Sequence, residues 1–154
     1  MELEHQFEVP ADKATTWATF NDLEQVVPCF PGGTLTSVDG DDFEGTVRLK
    51  LGPISLTYKG TGKFVERDEA AGRVVMEAQG VDRRGNGTAG ITVTATMSES
   101  GDGTTIDVHS AVNISGKPAQ FGRGLIQRVS DRMLGQFLDC MKEKMASGGA
   151  DLTP

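Results

Sequence analysis

Along most of this chain hydrophobic and polar residues alternate in twos, and only near the end do they recur in helical turns. Leu3, His5, Phe7 and Val9 interleave with Glu2, Glu4, Gln6 and Glu8, which predicts a half-buried strand that Pro10 closes. Ala14, Trp17, Ala18, Phe20 and Leu23 then fall at helix-like intervals over Ala11 to Val27. That spacing predicts two short helices broken near Asn21-Asp22 and stopped by Pro28 and Pro31-Gly32-Gly33. Five or six strands follow, divided by turn signals at Asp39-Gly40-Asp41, Gly52-Pro53, Asp68 to Gly72, Arg84 to Gly87 and Ser100 to Gly103. Connections so short make consecutive strands antiparallel neighbours.

The inward positions of this meander are Phe43, Val47, Leu49 and Leu51; Ile54, Leu56, Tyr58 and Phe64; Val74, Met76 and Ala78; Ile91, Val93, Ala95 and Met97; and Ile106, Val108, Val112 and Ile114. Gly60, Gly62, Gly80, Gly87 and Gly90 interrupt the pattern, as strong curvature requires. At Ser115-Gly116-Lys117-Pro118-Ala119-Gln120-Phe121-Gly122 the period changes. From Pro118 to Ala146, Ile126, Val129, Met133, Phe137, Cys140 and Met141 share one helix face, opposite Arg128, Asp131, Arg132, Asp139, Lys142 and Glu143. Phe121 and Leu125 project towards the polar side. They are either a ragged helix start under a loop or an apolar lip at a cavity mouth.

One sheet and one long helix must bury their apolar faces against each other. The expected architecture is α+β: a helix-grip, START-like fold in which a curved antiparallel sheet wraps around the C-terminal helix. Residues 1–146 form the domain, and 147–154 read as a polar tail. Such an arrangement leaves a hollow between sheet and helix, where a ligand would sit. Met133, Met141 and Met145 suit core filling, and they equally suit a pocket that moulds itself to a long apolar guest.

The net charge of -7 and pI near 4.8 have the wrong sign for gripping phosphate backbones, so nucleic acid is not an expected partner. No signal peptide or apolar span is evident, and a cytoplasmic location is expected. Cys29 and Cys140 fit no metal spacing and define no disulfide framework; both read as small buried hydrophobes. Gly85-Asn86-Gly87-Thr88-Ala89-Gly90 satisfies G-x-G-x-x-G, but a strand rather than a helix follows it, so no helix N-terminus awaits a pyrophosphate. Asp39, Asp41, Asp42 and Glu44 lack the spacing of a calcium loop and read as a solvated hairpin turn. His109 reads as a surface residue, and His5 as a hydrogen-bonded core histidine. Apart from His5, Tyr58 and Ser110, the inward set is hydrocarbon, thioether and glycine. General acid–base chemistry needs titratable groups converging on a substrate, so neither catalytic residues nor a metal site is expected.

Phe7-Glu8-Val9-Pro10-Ala11, Cys29-Phe30-Pro31-Gly32, Lys50-Leu51-Gly52-Pro53, Tyr58-Lys59-Gly60 and, above all, Gly116-Lys117-Pro118-Ala119-Gln120-Phe121-Gly122 resemble motifs of the CoxG-like family of carbon monoxide dehydrogenase subunits, within the START-like (SRPBCC) superfamily. The resemblance covers Met1 to about Met145. It implies a cytoplasmic accessory protein of molybdenum-type carbon monoxide dehydrogenase, in peripheral contact with the inner face of the cell membrane or coupling the enzyme to the respiratory chain. It also implies a membrane-reaching C-terminal extension, which the short polar Ser147 to Pro154 does not resemble. Combined with the apolar interior, it leads to the expectation of a carrier for an isoprenoid quinone, menaquinone in the first instance. The expected ligand-binding residues are Trp17, Phe30, Tyr58, Met76, Ile91, Val93, Gln120, Phe121, Leu125, Val129, Met133 and Phe137, with Tyr58 and Gln120 as polar contacts to a quinone carbonyl. Two alternatives stand beside it. One is a structural adaptor that recruits the dehydrogenase to the membrane. The other is a cyclase or aromatase-type enzyme, which would need His5 and Tyr58 to approach each other.

Overall fold

A computed structural model describes residues 1–151, with side chains described to Met145. The elements in chain order are β1 (Glu2–Val9), α1 (Lys13–Phe20), α2 (Leu23–Cys29), β2 (Gly33–Asp39), β3 (Asp42–Leu51), β4 (Ile54–Asp68), β5 (Arg73–Asp82), β6 (Thr88–Ser100), β7 (Gly103–Ile114), a 3-10 turn (Lys117–Phe121) and α3 (Gly122–Asp151). The seven strands form one antiparallel sheet in the order β1-β7-β6-β5-β4-β3-β2, so the meander closes by laying β7 against β1. This is the helix-grip, START-like arrangement that the residue pattern predicts.

The helical insert starts as its sequence dictates. Asp12 caps α1 by accepting the Thr15 N–H at 2.7 Å, and Asp22 caps α2 by accepting the Glu24 N–H at 3.1 Å. Pro28 departs from expectation: it lies inside α2 instead of ending it. In a helix of seven residues its missing N–H forfeits only one backbone bond, and the chain leaves the helix at Phe30, just before Pro31. The long helix also begins later than Pro118. Gly122, at φ 77°, turns the chain out of the 3-10 segment and into α3. At its other end α3 continues to Asp151, so its backbone runs through much of the expected polar tail; residues 152–154 lie outside the described residues.

Register places the inward sets as the alternation requires, for example Phe64 beside Met76 and Met76 beside Val93. Gly62 is needed for close approach. A Cβ there would come within 2.3 Å of the Phe43 ring, which lies flat across the glycine. One irregularity changes which side chains face inward. Between Phe64 and Glu66 the β4–β5 register shifts by a bulge, so that Glu66 faces Val75 and Arg67 faces Val74. Arg67, and not Glu66, therefore shares the inward face with Phe64.

The buried side chains form two clusters. Val9, Trp17, Cys29, Met97, Ile106, Met141 and Met145 make one, near the C-terminal half of α3. Leu51, Ile54, Leu56, Tyr58 and Ile126 make the other, under its first turns. The backbone of α3 comes close to α1, α2, β3 and the 3-10 turn, but hardly at all to the middle strands β5 and β6.

Candidate functional site: an apolar hollow between sheet and helix

Between the two clusters lies a stretch of inward wall that belongs to neither. Phe43, Val47, Met76, Ile91 and Val93 from the sheet, with Met133 from α3, all remain only half-buried. Protein interiors are packed to crystal density, so inward hydrocarbon that stays incompletely covered marks a gap. The backbone of α3 makes little close approach to β5 and β6, which is where such a gap would lie. Two open depressions, of about 790 and 690 Å³, lie across the middle strands, and the larger touches Phe43 and Ile91 of this wall. They are lined chiefly by outward-facing groups such as Thr61, Lys63, Glu77, Gln79 and Asn113, and offer little to an apolar guest.

The expected ligand-binding residues divide by position. Met76, Ile91, Val93 and Met133 are in the half-buried wall. Trp17 is buried in the first cluster; Phe137 packs against it, with ring centroids 6.1 Å from Phe20 and 6.4 Å from Phe30. Phe30 keeps 36% exposure, so this aromatic group reaches the surface. Tyr58 belongs to the second cluster, against which Phe121, Leu125 and Val129 pack. Burial, followed by the carboxylate of Asp82, raises the pKa of Tyr58 and keeps its phenol protonated. Phe121 and Leu125 rest on the β3–β4 turn beside Gly52, as a helix start packed under a loop does. Gln120 is exposed on the 3-10 turn and is not brought to the inward wall, because the buried member of that turn is Pro118.

The cysteine expectation is corrected. Cys29 and Cys140 form a disulfide, with Cα atoms 5.4 Å apart, joining the end of α2 to α3. Spacing could not reveal it, since the partners are 111 residues apart and meet only once α3 lies across the insert. The bond sits beside the Phe30–Phe137 contact and fixes one end of the hollow.

Two polar features escaped the sequence. His5 faces α3, where its Nε2 lies 2.7 Å from Asp131, a residue the helical wheel puts on the polar side. Gln127 donates to the same carboxylate oxygen at 2.8 Å, a contact that the i, i+4 spacing could have suggested. These bonds, that from His5 foremost, hold the Asp131 carboxyl below its ordinary pKa, and the group ties β1 to α3. Asp82 is buried at the end of β5. It accepts the Thr57 N–H at 2.8 Å and the Arg84 and Asn86 N–H groups at 3.1 Å each. In the loop that mimics a phosphate-binding motif, the Asn86 N–H is thus taken by the Asp82 carboxylate, the Gly85 N–H by the Asp82 carbonyl and the Thr88 N–H by Ser115 Oγ.

Those N–H bonds lower the pKa of Asp82, that from Thr57 foremost. A depressed carboxyl pKa stabilises the fold fully above the unfolded value, about 4, and the contribution is lost as pH falls through the folded value. Asp82→Asn turns an amide NH₂ against at least one of these three backbone donors. Its melting temperature should fall below that of the wild type at pH 7, and the gap should narrow as pH drops below about 4, measured by calorimetry across that range.

The profile of the CoxG family of carbon monoxide dehydrogenase subunits matches residues 6–146. The chain belongs to the CoxG family. No curated protein sequence matches it significantly. Among solved structures this CoxG chain resembles a conserved protein from Geobacillus kaustophilus, with TM-score 0.86, 13% identity and 96% of each chain covered. It also resembles the Zhui aromatase/cyclase from Streptomyces sp. R1128, with TM-score 0.69, 10% identity and 96% and 94% of the two chains covered. A third is Ara h 8.0201, with TM-score 0.64, 15% identity and 96% and 98% covered. At such identities these likenesses establish the START-like fold. Among the described residues of this CoxG chain no three His, Cys, Asp or Glu side chains gather as a metal would need, and no helix is long and apolar enough to cross a membrane.

Proposed function

We propose that this protein is a non-catalytic carrier of an isoprenoid quinone, menaquinone in the first instance, that couples molybdenum-type carbon monoxide dehydrogenase to the membrane respiratory chain. The observation that carries this reading is the half-buried hydrocarbon wall between the two core clusters, which offers a long apolar tail an unfilled and chemically inert surface. CoxG family membership supplies the link to the dehydrogenase. A soluble oxidoreductase whose electron acceptor is held in a bilayer by its tail needs a partner that shelters the tail.

The cyclase reading is less favoured. His5 is engaged with Asp131 at the β1–α3 seam, and its cross-strand neighbour Val108 packs on the first cluster, whereas Tyr58 belongs to the second. General acid–base catalysis would need the two to converge on one substrate. Protein purified from its native host, extracted with organic solvent and analysed by mass spectrometry, should yield a quinone, and added menaquinone should raise the melting temperature of the lipid-free protein. Absence of any quinone together with an unchanged melting temperature would refute the carrier.

A further inference from the structure

The inward wall carries a cation that the alternation of β4 hides. The bulge between Phe64 and Glu66 turns Arg67 onto the same face as Phe64, and its guanidinium carbon stands 3.8 Å from the centre of the Phe64 ring. Phe64 in turn pairs with Phe43 at 5.9 Å, and Phe43 belongs to the half-buried wall. Arg67 is thus the end of a continuous inward surface that begins in hydrocarbon and finishes in a hydrogen-bond donor. The guanidinium is also anchored, with its Nη2 3.3 Å from Asp41, while its side chain keeps 34% exposure. That contact uses few of the five N–H donors a guanidinium has.

The surroundings decide what those donors receive. Asp39, Asp41 and Asp42 around the β2–β3 hairpin, with Glu66 and Asp68 on β4 and Glu69 in the turn after it, outnumber the cations Lys63, Arg67, Arg73 and Lys13, the last lying against Gly72 in that turn. A phosphate entering there meets net negative charge and must compete with Asp41, whereas a neutral carbonyl oxygen meets a donor without repulsion. Tyr58 lies in the cluster under the first turns of α3 and Gln120 is outside, so neither duplicates this arrangement.

We propose that Arg67 is the head-group reader of the hollow, donating a hydrogen bond to an uncharged carbonyl oxygen of the guest while the hydrocarbon wall holds the tail. This inference rests on the carrier reading and adds to it that the head is neutral. Asp41 is the positioning residue, since it reaches the guest only through the guanidinium.

The test is isothermal titration of lipid-free protein with a short-tailed menaquinone, with squalene as a tail without a head, and with phosphatidylglycerol. Wild type should bind menaquinone well and phosphatidylglycerol poorly. Arg67→Gln should bind menaquinone about tenfold more weakly, the loss expected for one charge-assisted hydrogen bond, with squalene affinity unchanged. Arg67→Lys should recover part of the difference, and Asp41→Asn should improve phosphatidylglycerol binding. Equal affinity of wild type and Arg67→Gln for menaquinone overturns the inference and leaves the carrier standing. An equal loss for squalene assigns Arg67 a structural role and overturns it too, as does phosphatidylglycerol binding as tight as menaquinone. If wild type binds neither menaquinone nor squalene, the carrier reading itself fails.

Discussion

Replacing Cys29 with Ser should cost about 3 to 5 kcal/mol of stability and lower the melting temperature by about 10 °C or more. The bond joins residues 111 apart, and closing so long a loop removes much of the freedom of the unfolded chain. The variant also leaves a hydroxyl where Cys29 is 4% exposed and packed against hydrocarbon. Reduction of the intact protein isolates the first effect from the second. Melting curves with and without a dithiol reductant should differ for the wild type and coincide for Cys29→Ser and Cys140→Ser. Coincident curves for the wild type would mean that the pair is not bonded in solution. The outcome bears on location, because persistent disulfides belong to oxidising compartments.

Met141→Ala should lose about 2 to 5 kcal/mol, the cost of a cavity in a filled core, because Met141 is 0% exposed. Met133→Ala, eight residues earlier on the same helix, should lose less than about 1 kcal/mol, since Met133 is only half-buried and belongs to neither packed cluster. The two should exchange places in ligand binding, with Met133→Ala weakening menaquinone and Met141→Ala leaving it nearly unchanged. Val93→Phe gives the converse. In a filled core an added ring costs about 1 to 3 kcal/mol, whereas here it should leave the urea midpoint within about 0.3 M of wild type and block the quinone. Equal destabilisation by Met133→Ala and Met141→Ala would mean that the centre is solid.

Strand order, inward faces and the paired short helices were legible because each rests on a local rule: alternation, turn residues and helix caps. The start of α3 was less so, since Pro118 fits a 3-10 turn as well as the first turn of an α-helix. What escaped the sequence depends on contacts between distant segments. The Cys29–Cys140 bond and the His5–Asp131 pair each join residues more than a hundred apart, and neither has a spacing signal. Arg67 escaped for a different reason. Strict alternation points it outward, and the bulge that reverses it leaves no glycine or proline in Phe64-Val65-Glu66 to announce it. The inward hydrocarbon was legible from the alternation, whereas Tyr58 lies in the second cluster and Gln120 is exposed on the 3-10 turn.

The two packed clusters sit at opposite ends of α3, like piers under a span. Mechanical strength is thereby separated from the region that accommodates a guest. Exchanging Met76, Val93 or Met133 for larger or smaller side chains would resize the chamber without weakening either support, so one scaffold could be retuned to passengers of different girth through a handful of substitutions.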